Sequence, residues 1–140
     1  MKEIKYNAGD FVYDDENKIC RISTSYTDKK KNYEGYSRNE DIQVEYNDSE
    51  NIYLSKVVNP IPLNEELLLK CWFEKYSKDH FILNGILGTR KIHAYTCENN
   101  ISFELGNRSG YSFGQPKVKH LHQLQNLYYA LTQEELPINL

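Results

Sequence analysis

The side chains best able to do chemistry are concentrated in VKHLHQLQNLYYALTQEEL, Val118 to Leu136. It holds His120 and His122 beside three glutamines and the adjacent pair Tyr128 and Tyr129. Imidazoles shuttle protons near neutral pH and ligate metals. A helical projection of Val118 to Leu131 gathers Leu121, Leu124, Leu127, Tyr128 and Leu131 into one apolar arc. His120 falls inside the arc, while Lys119, His122, Gln123 and Asn126 lie opposite. The two histidines then sit ~160° apart and cannot share one ion, since helical ligands need i, i+4 spacing. Burying the four leucines contributes roughly 6–12 kcal/mol gross, reason enough for the helix without catalysis. The segment reads as a core helix, with His120 a neutral, hydrogen-bonded residue.

The other chemical candidates are weaker. His93 and Cys97 lie four apart on an expected strand, sharing a face but separated by ~13 Å, too far for a nucleophile and its base. GNRSGYSFG, Gly106 to Gly114, lacks the Lys-Ser/Thr of a phosphate-binding loop and reads as a hairpin turn. DDE, Asp14 to Glu16, lacks the alternating ligands of a calcium loop and reads as a solvated turn. Cys20, Cys71 and Cys97 are scattered and odd in number, which signals neither a disulfide framework nor a zinc site. No βαβ unit is present for a dinucleotide. The expectation is a protein that is not an enzyme and needs no cofactor or metal.

Binding surface remains. Between Tyr26 and Arg38, Tyr26, Tyr33 and Tyr36 interleave with Lys29, Lys30, Lys31 and Arg38. Rings with cations suit base stacking and phosphate contact, or anchoring on an acidic protein face. Asp28 and Glu34 reduce the local charge to +2. A second patch combines Arg90, Lys91, His93 and Tyr95.

The elements that must position these groups follow from pattern. Short strands DFVY (Asp10–Tyr13), ICRISTSY (Ile19–Tyr26), IQVEY (Ile42–Tyr46) and NIYLSKVV (Asn51–Val58) predict a small β-barrel or curled antiparallel sheet. Thr27 to Asp41 reads as a long exposed loop. NPIPL (Asn59–Leu63) is a stiff connector, and Asn64 an N-cap with Glu65 and Glu66 in the first turn. A helix over 64–76 would carry a narrow polar stripe of Glu66, Lys70 and Glu74. Leu67, Leu68, Leu69, Cys71, Trp72, Phe73 and Tyr76 give it a wide apolar arc, as in a helix covered on two sides. HFIL, RKIHAYTC and NISFEL predict a second antiparallel sheet, with turns at Asn84-Gly85, Asn99-Asn100 and GNRSG. The C-terminal helix should span 118–132. The expected fold class is α+β: a β-rich subdomain over 1–58 and an α+β subdomain over 59–140 sharing one core.

Length and charge set further bounds. A chain of 140 residues suits one domain or two small subdomains. The net charge is -3; residues 1–58 carry 9 basic and 12 acidic side chains, and residues 59–140 carry 8 of each. That balance opposes nonspecific binding of free nucleic acid, which runs on phosphate neutralisation. Tyrosine is abundant, at 12 residues, a type favoured at interfaces. MKEIKYNAGD is not a signal peptide, and no apolar run reaches the ~18 residues of a membrane span. A cytoplasmic, membrane-free location is expected.

GDFV (Gly9–Val12), NPIPLNEELLLKCWFEK (Asn59–Lys75) and the Val118–Leu136 segment resemble small proteins encoded by phages and mobile elements of Bacteroidetes. That group pairs a Pro-Ile-Pro-Leu helix entry with a terminal His-Gln-Leu-Gln-Asn-Leu-Tyr helix. One departure is Gln133, where a C-capping glycine is expected. The resemblance carries no catalytic residues, and its matching positions are core positions, while the Tyr/Lys loop lies outside it. It implies a source in phages and mobile elements, not a mechanism. That source, with a small chain without a catalytic constellation, sets the expectation of a phage- or prophage-encoded, non-enzymatic protein that binds and inhibits a host defence system. The most concrete version is an anti-CRISPR protein acting on an effector nuclease with its guide RNA, an RNA-targeting one included. The alternatives are a nucleic-acid-binding accessory module and a minor virion or assembly component.

Overall fold

The structure is a computed structural model that describes residues 3–29, 42–46, 51–86, 90–98, 100–107, 112–114 and 117–140. The chain forms two compact units, Met1–Ile61 and Pro62–Leu140. Among the described residues all strand pairings are antiparallel and the sheets are open, with a short helix in the middle of the chain and a longer one near its end. This is the expected α+β class, with open sheets rather than a barrel.

The first unit contains β1 (Glu3–Tyr6), β2 (Phe11–Tyr13), β3 (Ile19–Ile22), β4 (Tyr26–Lys29), β5 (Ile42–Glu45), β6 (Ile52–Ser55) and β7 (Asn59–Pro60). One sheet has the order β6-β5-β3-β2-β7, and β1 pairs with β4 separately. Period-two alternation turns Val12, Cys20, Ile22, Ile42 and Val44 inward, where Tyr6 and Val58 join them. Three expectations change here. Tyr26 starts β4 instead of ending the strand begun at Ile19, because the chain bends after Ile22, where the Ser23 N–H donates to the Gln43 carbonyl. Thr27 to Lys29, expected as loop, pair with β1. Asn59 and Pro60, expected as connector, pair with β2.

Asp14 closes the hairpin between β2 and β3. Its carboxylate accepts from the Glu16 N–H at 2.8 Å and the Lys18 N–H at 2.9 Å, and from the Tyr46 hydroxyl after β5. DDE is therefore a turn, but Asp14 itself is buried. Burial alone would raise its pKa; the Tyr46 hydroxyl and the two N–H groups outweigh that and hold the carboxyl below its ordinary value.

The second unit runs α1 (Glu65–Lys70), β8 (Glu74–Ser77), β9 (His80–Ile86), β10 (Arg90–Cys97), β11 (Asn100–Asn107), β12 (Ser112–Gly114) and α2 (Leu121–Thr132). Its sheet has the order β12-β11-β10-β9-β8. Phe81, Ala94 and Phe103 fall in one cross-strand row and are fully or nearly fully buried. Phe73 meets Phe103 edge-on at 6.4 Å. Leu136 is buried near the C-terminus, and the Asn139 N–H donates to the Lys70 carbonyl.

Asn64 caps α1 as expected, its Oδ1 accepting the Leu67 N–H at 2.8 Å. The helix does not reach residue 76, however. Trp72 adopts φ 69, and the chain turns into β8. The expected turns also move. Asn84 and Gly85 lie within β9, and Asn100 pairs with Cys97 at the start of β11; Asn99 lies outside the described residues. Glu98, just after β10, has a positive φ of 55.

The C-terminal helix begins at Leu121, not at 118, with His120 as its N-cap. Extended backbone ahead of it bridges Pro62 to His120. The Gln123 carboxamide oxygen accepts both the Lys119 and His120 N–H groups, at 2.8 and 3.0 Å. The roles of the histidines reverse as a result. His120 is half-buried and His122 buried, with burial and the nearby His120 pulling its pKa down to about 4. Their rings stack at 5.9 Å, because His120 stands outside the helix and the ~160° separation does not apply. Gln133 is left-handed at φ 61, a conformation that favours glycine.

Two stability outcomes follow. Replacing Gln133 by Gly should raise stability by about 0.5–1 kcal/mol, read as a higher urea midpoint. Asp14→Asn should cost about 1–3 kcal/mol at pH 7, the worth of hydrogen bonds to a charged group. Because the folded pKa of Asp14 is depressed, its contribution is complete above 3.8 and fades as pH falls below it. Urea unfolding at pH 7 and pH 3 should show the gap between the two proteins closing in acid.

Candidate functional site

Alternation along β10 places Lys91, His93, Tyr95 and Cys97 on the face opposite Ile92 and Ala94. In register, Tyr95 pairs with His80 and His93 with Ile82, so His80 and His93 are diagonal neighbours on one face. The His80 and Tyr95 rings stack at 4.4 Å with planes 17° apart. His93 lies parallel to Tyr95, at 6.1 Å and 9°. His80 Nε2 and His93 Nδ1 are hydrogen-bonded at 2.9 Å, one ring donating to the other. Tyr76, on β8, meets His80 edge-on at 5.1 Å. Four rings from three adjacent strands thus form one array.

The array is open to solvent at one side. Tyr76 is 73% exposed and Tyr95 38%, while the two imidazoles are half-buried. Burial, with His80 beside it, lowers the pKa of His93, and Glu104 opposes that only in part. Burial and then Glu104 raise the Tyr95 phenol. Both groups are therefore neutral at pH 7. Glu104 stands directly across from His93 on β11, and Glu74 across from Ile82 on β8, so carboxylates flank the rings on two sides.

Just before β8 stands Trp72, the single tryptophan of the chain, 64% exposed. Its N–H donates to the Leu69 carbonyl at 3.2 Å, and the Phe73 N–H to the Leu68 carbonyl at 3.1 Å. These two bonds are a Schellman motif, with Trp72 at the left-handed position that usually takes glycine. A residue with a Cβ costs roughly 1–2 kcal/mol there. Trp72 thus carries backbone strain without burying its ring. It lies no more than about 14 Å along the chain from Tyr76. Large exposed Trp and Tyr side chains are the types that dominate binding energy at protein interfaces.

The residues expected to bind a partner are only partly brought together. Lys91 shares the face of His93 and Tyr95 and is half-buried. Arg90 begins β10 opposite Asn107. Tyr26 and Lys29 lie on β4, paired with Tyr6 and Glu3. Lys30, Lys31, Tyr33, Tyr36 and Arg38 lie outside the described residues. Sequence reasoning missed Trp72, Tyr76 and His80. The first two were absorbed into the apolar arc of an overlong helix; His80 gains meaning only from its register with Tyr95.

Among the described residues no group of three or more His, Cys, Asp or Glu is placed to hold a metal, and Cys20 and Cys71 are buried thiols pushed up to about 12 by burial. No helix among the described residues is long and apolar enough to cross a membrane. Compared with known proteins, the chain matches no family model, no curated protein and no solved structure.

Replacing Trp72 separates strain from function. Trp72→Gly and Trp72→Ala both remove the ring, but only glycine relieves the left-handed backbone. The Gly variant should be more stable than the Ala variant by about 1 kcal/mol, measured by thermal and urea unfolding. Equal stability would mean that the turn is not left-handed in solution.

Proposed function

We propose that the chain is a non-enzymatic binding protein of phage or mobile-element origin that disables a host defence system, most concretely a CRISPR effector nuclease carrying its guide RNA. It acts in the bacterial cytoplasm. The observation that carries this reading is the strained, 64% exposed Trp72, standing close in sequence to the ring array of Tyr76, His80, His93 and Tyr95. Stability does not account for an exposed tryptophan at a glycine position; an anchoring role does. Tyr26, Lys29, Lys30, Lys31, Tyr33, Tyr36 and Arg38 form a second contact in this reading, with Lys91 on the face of the array and Arg90 at the start of the same strand.

A second reading, as a nucleic-acid-binding module, has one observation in its favour. The near-parallel rings of His80, Tyr95 and His93 offer bases a stacking platform. Glu74 and Glu104 on the same face oppose it, since they repel the phosphates that must follow the bases.

The test is a phage challenge in a Bacteroidetes host whose CRISPR system targets that phage. Expression of the chain should restore plaque formation, and Trp72→Ala combined with Tyr76→Ala should abolish the rescue at equal protein level. The purified chain should also hold the effector after ribonuclease treatment. Failure of the wild-type chain to restore plaques against effectors of each class would overturn the proposal. Salt-sensitive binding to free RNA without an effector would move the assignment to the second reading.

A further inference from the structure

The paired nitrogens of His80 and His93 have a use independent of any docking partner. They belong to adjacent strands, a rigid support for ligands, and Tyr95 stacks on His80 to fix the plane of its ring. We propose that His80 Nε2 and His93 Nδ1 form a two-histidine site for a divalent transition metal of the Cu(II) or Ni(II) class, completed by water.

The chemistry follows from the spacing. At metal–nitrogen distances of about 2.0–2.1 Å, nitrogens 2.9 Å apart subtend roughly 90° at an ion between them. That is the cis angle of square-planar and octahedral sites, narrower than a tetrahedral ion prefers. Imidazole ligation and the stability order of divalent metals both place Cu(II) first. Binding replaces the hydrogen-bonded proton: it moves to the far nitrogen of its own ring, leaving each facing nitrogen a lone pair. Each ring must then turn by roughly 45° from the line joining the two nitrogens, so that both lone pairs aim at one point. Glu104, opposite His93, favours a dication nearby, while Lys91 on the same face opposes it. Two protein ligands leave the ion open to water, so the site is distinct from a closed structural centre.

The test uses the full-length chain without a histidine tag, titrated with Cu(II), Ni(II) and Zn(II) chlorides by calorimetry. One ion per chain is expected, with Cu(II) tightest. His80→Gln and His93→Gln, polar replacements at half-exposed positions, should each weaken Cu(II) at least about tenfold. His120→Asn, which keeps an N-capping side chain while removing one member of the other histidine pair, should leave the affinity unchanged. Electron paramagnetic resonance of the Cu(II) form should show hyperfine coupling to two imidazole nitrogens. Absence of binding, or Cu(II) affinity unchanged in both Gln variants, would overturn the site. Neither result bears on plaque rescue, so the two proposals fail separately.

Discussion

At Trp72 the backbone holds a conformation that disfavours every residue with a Cβ, and it is there that α1 stops and β8 begins. Two hydrogen bonds of the turn close the helix end, and Leu68 and Phe73, both buried, meet the pattern of a hydrophobic contact across such a motif. Burial of these two side chains, worth about 1.5–3 kcal/mol each, offsets the strain. The contact of Tyr76 with His80 depends on this early exit. Had the helix continued to Tyr76, β8 would not exist, and Tyr76 could not meet His80. The turn also leaves the tryptophan ring in solvent.

The first unit obeys a different constraint. Its strands are only two to four residues long, so the sheet gains little from each ladder and relies on side-chain closure. Asp14 supplies it, tying the hairpin of β2 and β3 to Tyr46 after β5. A buried carboxylate stabilises only when hydrogen bonds replace its lost hydration. Here three donors do so, and one of them, the Tyr46 hydroxyl, is held in place by the edge-on ring of Tyr53 at 5.3 Å. The closure is electrostatic, local and sensitive to acid.

Much of this architecture was legible in the residues, and what was not has physical causes. Asn64, followed by Glu65 and Glu66, marked the start of α1, because capping is read from neighbours in sequence. The end of α1 was not legible: Cys71, Trp72 and Phe73 continue the apolar arc without a break, and no glycine announces the turn. Gln133 shows the converse case: the resemblance read in the sequence led us to expect a glycine there, and the residue is left-handed. The C-terminal histidines were misassigned through one error of phase. Starting the helix at Val118 put His120 in the apolar arc, whereas its real place as N-cap follows from extended backbone bridging Pro62 to His120, a contact distant in sequence. The histidine array was invisible for the same reason. His80 and His93 become neighbours only through the register of β9 on β10, which short strands leave open.

In the proposed reading the ring array and Trp72 together make a binding face. Such a face is tested most directly at the tryptophan itself. The measurement is the 19F resonance of the chain with 5-fluorotryptophan at its single tryptophan position, recorded free and with a purified, guide-loaded CRISPR effector. In the free chain the resonance should show the solvent-isotope shift of an exposed indole; on adding effector it should move and lose that shift as the ring becomes buried. A resonance unchanged at saturating effector, or one already shielded from solvent in the free chain, would contradict the assignment of Trp72 as the anchor of this protein.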